Sequence, residues 1–250
     1  MKLYAYFVSD DPGIQVPESV TGIGGSAVRL MKTEGLLVGV SESDDAPVAV
    51  TRENVVAHER VVRSVFQDTT PLPFRFGNIV EEAQLRSYLH SHREALQSRL
   101  LFFRGCVEMS VKVIWQTSNQ VDAETEVVPV ITDLYLDRAE GGAGVAFLMA
   151  KRQEILGDQM LADKATDIAS WLKERLGSSI CKDQVSVRPR DKLVVAAAHL
   201  VARTALKRYR GELDKARAER PELHFLTSGP WPPYSFANID LEFKTHFGVS

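Results

Sequence analysis

The chain has 250 residues, 44% hydrophobic and 25% charged, which is ordinary for a globular protein and argues against disorder on a large scale. Its 30 Lys and Arg residues against 33 Asp and Glu residues leave a net charge of -3, so no global positive field would draw it onto nucleic acid or anionic lipid. The two cysteines, Cys106 and Cys181, lack metal-ligand spacing, and a reducing cytoplasm fits them best. No apolar run approaches the roughly 20 residues that a membrane-spanning helix needs.

The first half of the chain alternates between strand and helix patterns. Apolar runs predict a strand over 3–8 and a hairpin of strands over 27–32 and 36–40, joined at Glu34 and Gly35. Thr51 can cap a helix whose apolar residues recur every three to four positions up to Phe66. A second helix is expected over 81–101, and the clean alternation over 107–115 predicts a half-buried strand that completes this unit.

The second half contains both helices and strands as well. A pattern without proline predicts a long helix over 145–176 that stops at Gly177, followed by strands over 185–188 and 193–201. A helix over 204–218 and a strand over 222–227 come next. The Pro-interrupted, acidic residues 118–140 suit a linker.

These elements predict an α+β protein of two domains. The first, 1–117, is expected to be a ferredoxin-like antiparallel sheet with helices on one face. The second, 141–250, is expected to be an α+β domain with a long helix, which ends in the segment GPWPPYSF over 229–236.

Two motifs stand out as candidate contact sites. In LPFRFG, over 72–77, Arg75 and the neighbouring Phe76 are held between proline and glycine; Arg75 either contacts an anion or partner or pairs with Glu81 or Glu82. In GPWPPYSF, three prolines extend the backbone while three aromatic residues supply apolar area, either as a docking surface or as a lock between domains. Those three residues are Trp231, Tyr234 and Phe236.

Other patterns give weaker signals. His58 and Glu59 are adjacent on the first helix, so their side chains point about 100° apart and do not converge on one atom unaided. The glycine-rich residues 22–25 lack a complete phosphate-binding pattern and suit a turn. The basic helix over 207–220 carries interleaved acids, which favours a solvated face over nucleic-acid binding. No catalytic, cofactor or metal residues are predicted, so we expect no enzyme.

The two motifs make the chain resemble the gas vesicle GvpF/GvpL family. LPFRFG is similar to the family's "PxRFG" region, and GPWPPYSF matches its C-terminal signature. The resemblance extends to a first strand with Tyr4 and Tyr6, to the step from His58 to Glu59, and to residues 105–112, which resemble the family's "GxxExxVK" strand.

The resemblance implies a non-enzymatic accessory or minor structural protein of gas vesicle assembly, located in the cytoplasm at the gas vesicle. Its expected partners are the small hydrophobic shell subunit and other accessory proteins, with no nucleic acid, lipid membrane or cofactor. The expected contacts are Arg75, Phe76, Trp231, Tyr234 and Phe236. Two alternatives stay open. One is a small-molecule-binding enzyme or sensor with His58, Glu59 and Arg75 around a pocket, and the other is a nucleic-acid-binding regulator that uses the helix over 207–220.

Overall fold

The structure, a computed structural model, describes residues 1–44, 46–115, 162–186, 193–237 and 239. The predicted linker over 118–140 and the first part of the predicted long helix, 145–161, lie outside these ranges.

In the described part of the chain, five antiparallel strands form the first sheet. They are β1 (Lys2–Ser9), β2 (Val28–Thr33), β3 (Leu36–Glu42), β4 (Leu72–Pro73) and β5 (Ile79–Glu81). The spatial order is β2-β3-β1-β4, and β5 also pairs with β1. Glu34 and Gly35 connect β2 to β3 with φ angles of 54° and 79°, as a two-residue hairpin turn requires. The predicted hairpin is therefore confirmed.

Helices cover both faces of this sheet, which differs from the predicted single face. The helix α1 (Arg52–Phe66) begins after Thr51, whose side chain caps it, and packs on the face that carries Tyr4 and Tyr6. The helices α2 (Glu82–Ser91) and α3 (Arg93–Phe103) pack on the opposite face. The reason lies in β1, which is apolar or aromatic on both faces and is buried along almost its whole length.

One predicted helix is two helices in the structure. The expected element over 81–101 is divided between α2 and α3 at His92, whose ψ of 12° leaves the helical conformation. The His92 imidazole stacks on Tyr88 with 4.2 Å between ring centroids, and its Nδ1 lies 2.9 Å from the Tyr88 carbonyl oxygen. These contacts stabilise the break.

The second sheet contains, within the described ranges, four antiparallel strands in the order β7-β8-β6-β9. They are β6 (Cys106–Trp115), β7 (Lys182–Ser186), β8 (Leu193–Ala202) and β9 (Leu223–Trp231). The helix α4, described over 162–176, and α5 (Leu206–Glu219) cover one face, and the short helix α6 (Tyr234–Ala237) follows β9. An α+β fold with antiparallel sheets is thereby confirmed.

The prediction that β6 completes the first sheet is wrong. Its alternation is as expected, since Val107, Val111 and Val113 are fully buried, but β6 pairs with β8 and β9 in the middle of the second sheet. The alternation shows that one face is buried and carries no information about which partner strands it has. The predicted domain boundary at residue 117 stays a prediction. By its strand pairing, β6 belongs to the second sheet.

The two units share side chains across their junction. Phe66, at the end of α1, packs in the hydrophobic core of the second unit. In return, Leu200 of β8 and Phe236 of α6 pack in the core beneath α2 and α3. The Arg203 guanidinium donates to the Phe66 carbonyl oxygen and covers the Phe66 ring. The junction is therefore a packed interface.

Candidate functional site

Residues from four separate motifs meet at this junction. Tyr4 and Tyr6 of β1, His58 of α1, Phe76 of the LPFRFG motif and Tyr234 of the GPWPPYSF motif form a group that we call the aromatic cluster. Its ring centroids lie 5.7 Å apart for Tyr4 and His58, 6.0 Å for His58 and Phe76, and 6.2 Å for His58 and Tyr234. His58 is at the centre of the aromatic cluster.

The two tyrosine hydroxyls of β1 hold the nearby loops in place. The Tyr4 hydroxyl accepts a hydrogen bond from the Gly77 amide at 3.0 Å and lies 2.9 Å from His58 Nδ1. The Tyr6 hydroxyl accepts from the Ile23 amide at 2.9 Å. A Cβ at Gly22 would lie 2.0 Å from this hydroxyl, so the glycine permits the close approach. The glycine-rich residues 22–25 are thus a turn docked on Tyr6.

Burial keeps the aromatic cluster uncharged near neutral pH. His58 is 3% exposed, and burial lowers its pKa to about 4, while the Phe74 backbone partly opposes that shift. Burial also raises the pKa of Tyr4 and that of Tyr234. The Tyr234 hydroxyl and His58 Nε2 have no hydrogen-bond partner among the described residues. The aromatic cluster is therefore a buried and neutral site, and Tyr4 also lines a cavity of about 510 Å³.

A buried carboxylate anchors the GPWPPYSF motif. Glu108 of β6 is 6% exposed, and its Oε2 and Oε1 accept hydrogen bonds from the Ser235 amide at 2.8 Å and the Ser235 hydroxyl at 2.6 Å. Burial raises the pKa of Glu108, and the two hydrogen bonds partly oppose that shift. The sequence marks this glutamate only as one letter of the "GxxExxVK" resemblance, and nothing local identifies Ser235 as its partner.

The aromatic residues of this motif pack between the units. Phe236 is 4% exposed in the first hydrophobic core, so its side chain is not available to a partner. Trp231 is half-buried, its Nε1 donates to Ser228 Oγ at 3.1 Å, and the Arg63 guanidinium of α1 lies 5.3 Å from its ring centroid. Phe236 therefore suits a lock between the units, whereas Trp231 keeps part of its surface exposed, and both interpretations of GPWPPYSF stay predictions.

Arg75 lines an open groove at the same junction. The groove has a volume of about 490 Å³, and Arg75, Arg99 of α3 and Lys182 of β7 lie along it. None of the described residues that line it is acidic. Glu82, one expected partner of Arg75, is instead bound by Arg86 at 2.7 Å and by Arg29 at 3.4 Å.

The remaining candidate sites have structural explanations. On α5, Lys215 and Arg217 pair with Glu212 and Asp214 at 3.0 and 3.1 Å, as a solvated helix face would. Among the residues that the structure describes, no group of three or more His, Cys, Asp or Glu side chains is placed to hold a metal ion. Within the same ranges, no helix has the length and hydropathy needed to cross a lipid bilayer.

Known structures share this architecture. The crystal structure of gas vesicle protein GvpF from Anabaena sp. PCC7120 matches with a TM-score of 0.73 and 21% identity, covering 96% of this chain and 99% of that chain. The crystal structure of GvpF from Microcystis aeruginosa matches with a TM-score of 0.75 and 18% identity, covering 95% and 99%. The fold is therefore that of the GvpF crystal structures.

Sequence comparison shows that the likeness to gas vesicle proteins extends from the fold to the family. The family model of gas vesicle synthesis protein GvpL/GvpF matches residues 2–238, and the chain belongs to this family. Gas vesicle protein L1 of Halobacterium salinarum is 24% identical, with 94% of this chain and 89% of the relative covered. Gas vesicle protein L of a Streptomyces species is 27% identical, with 94% and 92% covered. The protein therefore has a role associated with gas vesicles.

Proposed function

We propose that the protein is an accessory or minor structural protein required for gas vesicle assembly. In this role it binds the small hydrophobic shell subunit and/or other accessory proteins during nucleation or growth. The main support for the proposal is the family match over residues 2–238. A small hydrophobic subunit tends to aggregate before it enters a shell, so a protein that covers its apolar surface would aid assembly. The proposed location is the cytoplasm, at the gas vesicle, with neither nucleic acid nor lipid membrane as a partner.

The proposed contact surface contains Arg75, Phe76, Trp231 and Tyr234. Arg75 is exposed, and the other three are half-buried. Arginine and large aromatic residues contribute a large share of the binding energy in protein interfaces, which supports this choice. We assign Phe236 a different task, because its burial suits a residue that holds the GPWPPYSF segment in place.

The alternative, a small-molecule-binding enzyme or sensor, has weaker support. It requires His58, Glu59 and Arg75 around one pocket, but His58 is buried in the aromatic cluster. Glu59 is partly buried and lies 3.5 Å from Arg63, and its charge adds to the burial that raises the pKa of Tyr234, while Arg75 lines the groove between the units. A catalytic base must reach its substrate, and only 3% of His58 is exposed.

The proposal is tested with the full-length protein in a host that makes gas vesicles and lacks its own copy. Arg75→Ala and Trp231→Ala are expected to reduce both vesicle number in electron micrographs and capture of the tagged shell subunit. Arg210→Ala, at an exposed arginine of α5, is the matched control. If both variants stay folded and still support normal vesicles and subunit capture, this surface assignment is wrong.

A further inference from the structure

The two cysteines of the chain, which are far apart in the sequence, meet at one end of the second sheet. Cys106 begins β6, where it pairs with Ala202 of β8. Cys181 immediately precedes β7, and its amide donates to the Leu200 carbonyl oxygen of β8 at 2.8 Å. The strand β8 therefore has a cysteine on each side, at neighbouring positions along its length.

The two thiols interact with each other. The Cys106 side chain packs beside Leu200 in the first hydrophobic core. Cys181 and Lys182 both lie opposite Leu200, which is the arrangement of a β-bulge and releases Cys181 from strict alternation. Burial is the main cause that raises the pKa of Cys106 to about 11, and the charge of Cys181 and a hydrogen bond with its thiol add to that shift. The two sulfur atoms are therefore within reach of each other.

The backbones that carry the thiols are too far apart for a direct disulfide. Because β8 separates β6 from β7, their backbones are two strand spacings, or about 9.6 Å, apart. The Cα atoms that a disulfide joins are usually within about 7 Å of each other. An ion that bonds both sulfurs at about 2.3 Å would span up to about 4.6 Å between them, and the two side chains cover the rest. The geometry therefore favours a bridging ion over a sulfur–sulfur bond.

The number and kind of ligands select the ion. Thiolates are soft ligands that favour Cu(I), zinc and iron–sulfur clusters. Structural zinc and iron–sulfur clusters each require four protein ligands, whereas the chain has two cysteines in all. Among the described residues, no third His, Cys, Asp or Glu side chain is placed to complete a metal-binding group with them. A monovalent soft cation such as Cu(I), which accepts two thiolates on opposite sides, fits this pair.

Arg203 supplies a compensating charge. Two thiolates around a monovalent cation leave one net negative charge. The positive charge of the Arg203 guanidinium opposes the burial that raises the pKa of Cys106, so it is close enough to stabilise such a complex. Cys106 is 6% exposed and Cys181 is exposed, so a cation reaches the pair from the Cys181 side.

We propose that Cys106 and Cys181 together bind one soft monovalent cation of the Cu(I) class. On binding, each thiol gives up its proton to solvent and forms one sulfur–metal bond, and neither sulfur nor metal changes its oxidation state. The bound cation connects β6 to β7 across β8. The site is independent of the proposed function, since neither thiol belongs to the proposed contact surface.

The test is titration of the purified, reduced full-length protein with Cu(I) under anaerobic conditions, in competition with a chromogenic Cu(I) chelator. We expect one ion per chain, and X-ray absorption of the loaded protein should show two sulfur ligands. Cys181→Ser and Cys106→Ala should each weaken the affinity by more than about a hundredfold, since loss of an outer-shell partner alone costs about 10–100-fold. Ser178→Ala, at a nearby exposed position, is the matched control and should bind normally.

Three results would overturn the inference. One is retention of a full ion by either folded cysteine variant, because a single thiol would then suffice. Another is half an ion per chain that persists in Cys106→Ala, because the exposed Cys181 residues of two molecules would then share the copper. The third is Zn²⁺ binding as tight as that of Cu(I), which would require further ligands. Cys181→Ser changes an exposed side chain, so it tests the site even if Cys106→Ala fails to fold.

The outcome is separable from that of the assembly assays. Shell-subunit capture and vesicle formation depend on Arg75 and Trp231 in the proposed function, and neither residue is changed in the cysteine variants. Loss of the proposed cation site would therefore leave the proposed function standing. Conversely, normal vesicles with Arg75→Ala and Trp231→Ala would leave the titration result unchanged.

Discussion

Acidification should destabilise the protein through its two buried histidines. Burial lowers the pKa of His58 from 6.5 to about 4, and it lowers the pKa of His199 by the same amount. The Tyr209 hydroxyl lies 2.8 Å from His199 Nδ1, and Asp183 opposes the shift only partly. Both side chains are at most 3% exposed, so the shift is not screened by solvent. Both histidines therefore stay neutral in the folded protein.

The sign and size of the effect follow from the difference in pKa between the unfolded and folded states. Between pH 6.5 and about 4 the unfolded chain binds more protons than the folded one, so unfolding becomes easier as the pH falls. Above pH 6.5 the histidines do not make the free energy of unfolding depend on pH, and below about pH 4 the loss of stability is complete. At about 1.4 kcal/mol per pKa unit, each histidine removes about 3 kcal/mol of stability across the window.

The assay is urea unfolding at a series of pH values, with the free energy of unfolding extrapolated to zero urea. His58→Asn keeps a group that can form a hydrogen bond with the Tyr4 hydroxyl and that cannot become charged. When the pH is lowered from 6.5 to about 4, the variant should therefore lose about 3 kcal/mol less stability than the unchanged protein. The exposed His224→Asn is the control for the substitution itself. An equally steep loss in His58→Asn would refute the argument that burial of a neutral imidazole causes the pH dependence.

Two further substitutions test packing and anchoring. Gly39→Ala would place a Cβ 2.4 Å from the fully buried Phe7 ring and should cost about 1–3 kcal/mol in urea unfolding. The control is Gly211→Ala on α5, where an added Cβ has open space, and it should be neutral or stabilising. A harmless Gly39→Ala would contradict the tight packing of Phe7. Ser235→Ala removes the 2.6 Å hydrogen bond to Glu108 and should cost about 1 kcal/mol in the same assay, and unchanged stability would contradict the anchoring role.

The secondary structure followed largely from local patterns. Thr51 as a cap and the apolar spacing to Phe66 predicted α1, and Glu34 with Gly35 predicted the turn between β2 and β3. The break at His92 was missed, because the helical spacing continues across it and the stacking of His92 on Tyr88 is visible only in three dimensions. Local propensity predicts an element well and its interruptions poorly.

The residues of the candidate site were partly visible in the sequence. The motifs containing Arg75, Trp231 and Tyr234 were identified by their unusual composition, but their meeting around His58 was not. The interpretation of Phe236 as a contact residue also changed, since its burial between the units depends on how the second unit docks on the first. Sequence spacing carries no information about contacts between residues more than a hundred positions apart.

The sequence by itself determined the α+β class, most of the elements and, through two specific motifs, the gas vesicle family. These properties are encoded locally, in side-chain periodicity, capping residues and short unusual segments. Only the tertiary structure decided that β6 belongs to the second sheet, that helices cover both faces of the first, and that Arg75, Arg99 and Lys182 share one groove. The physical reason is that strand pairing and charge clustering depend on which surfaces are buried against each other, and alternation along one strand is compatible with many partners.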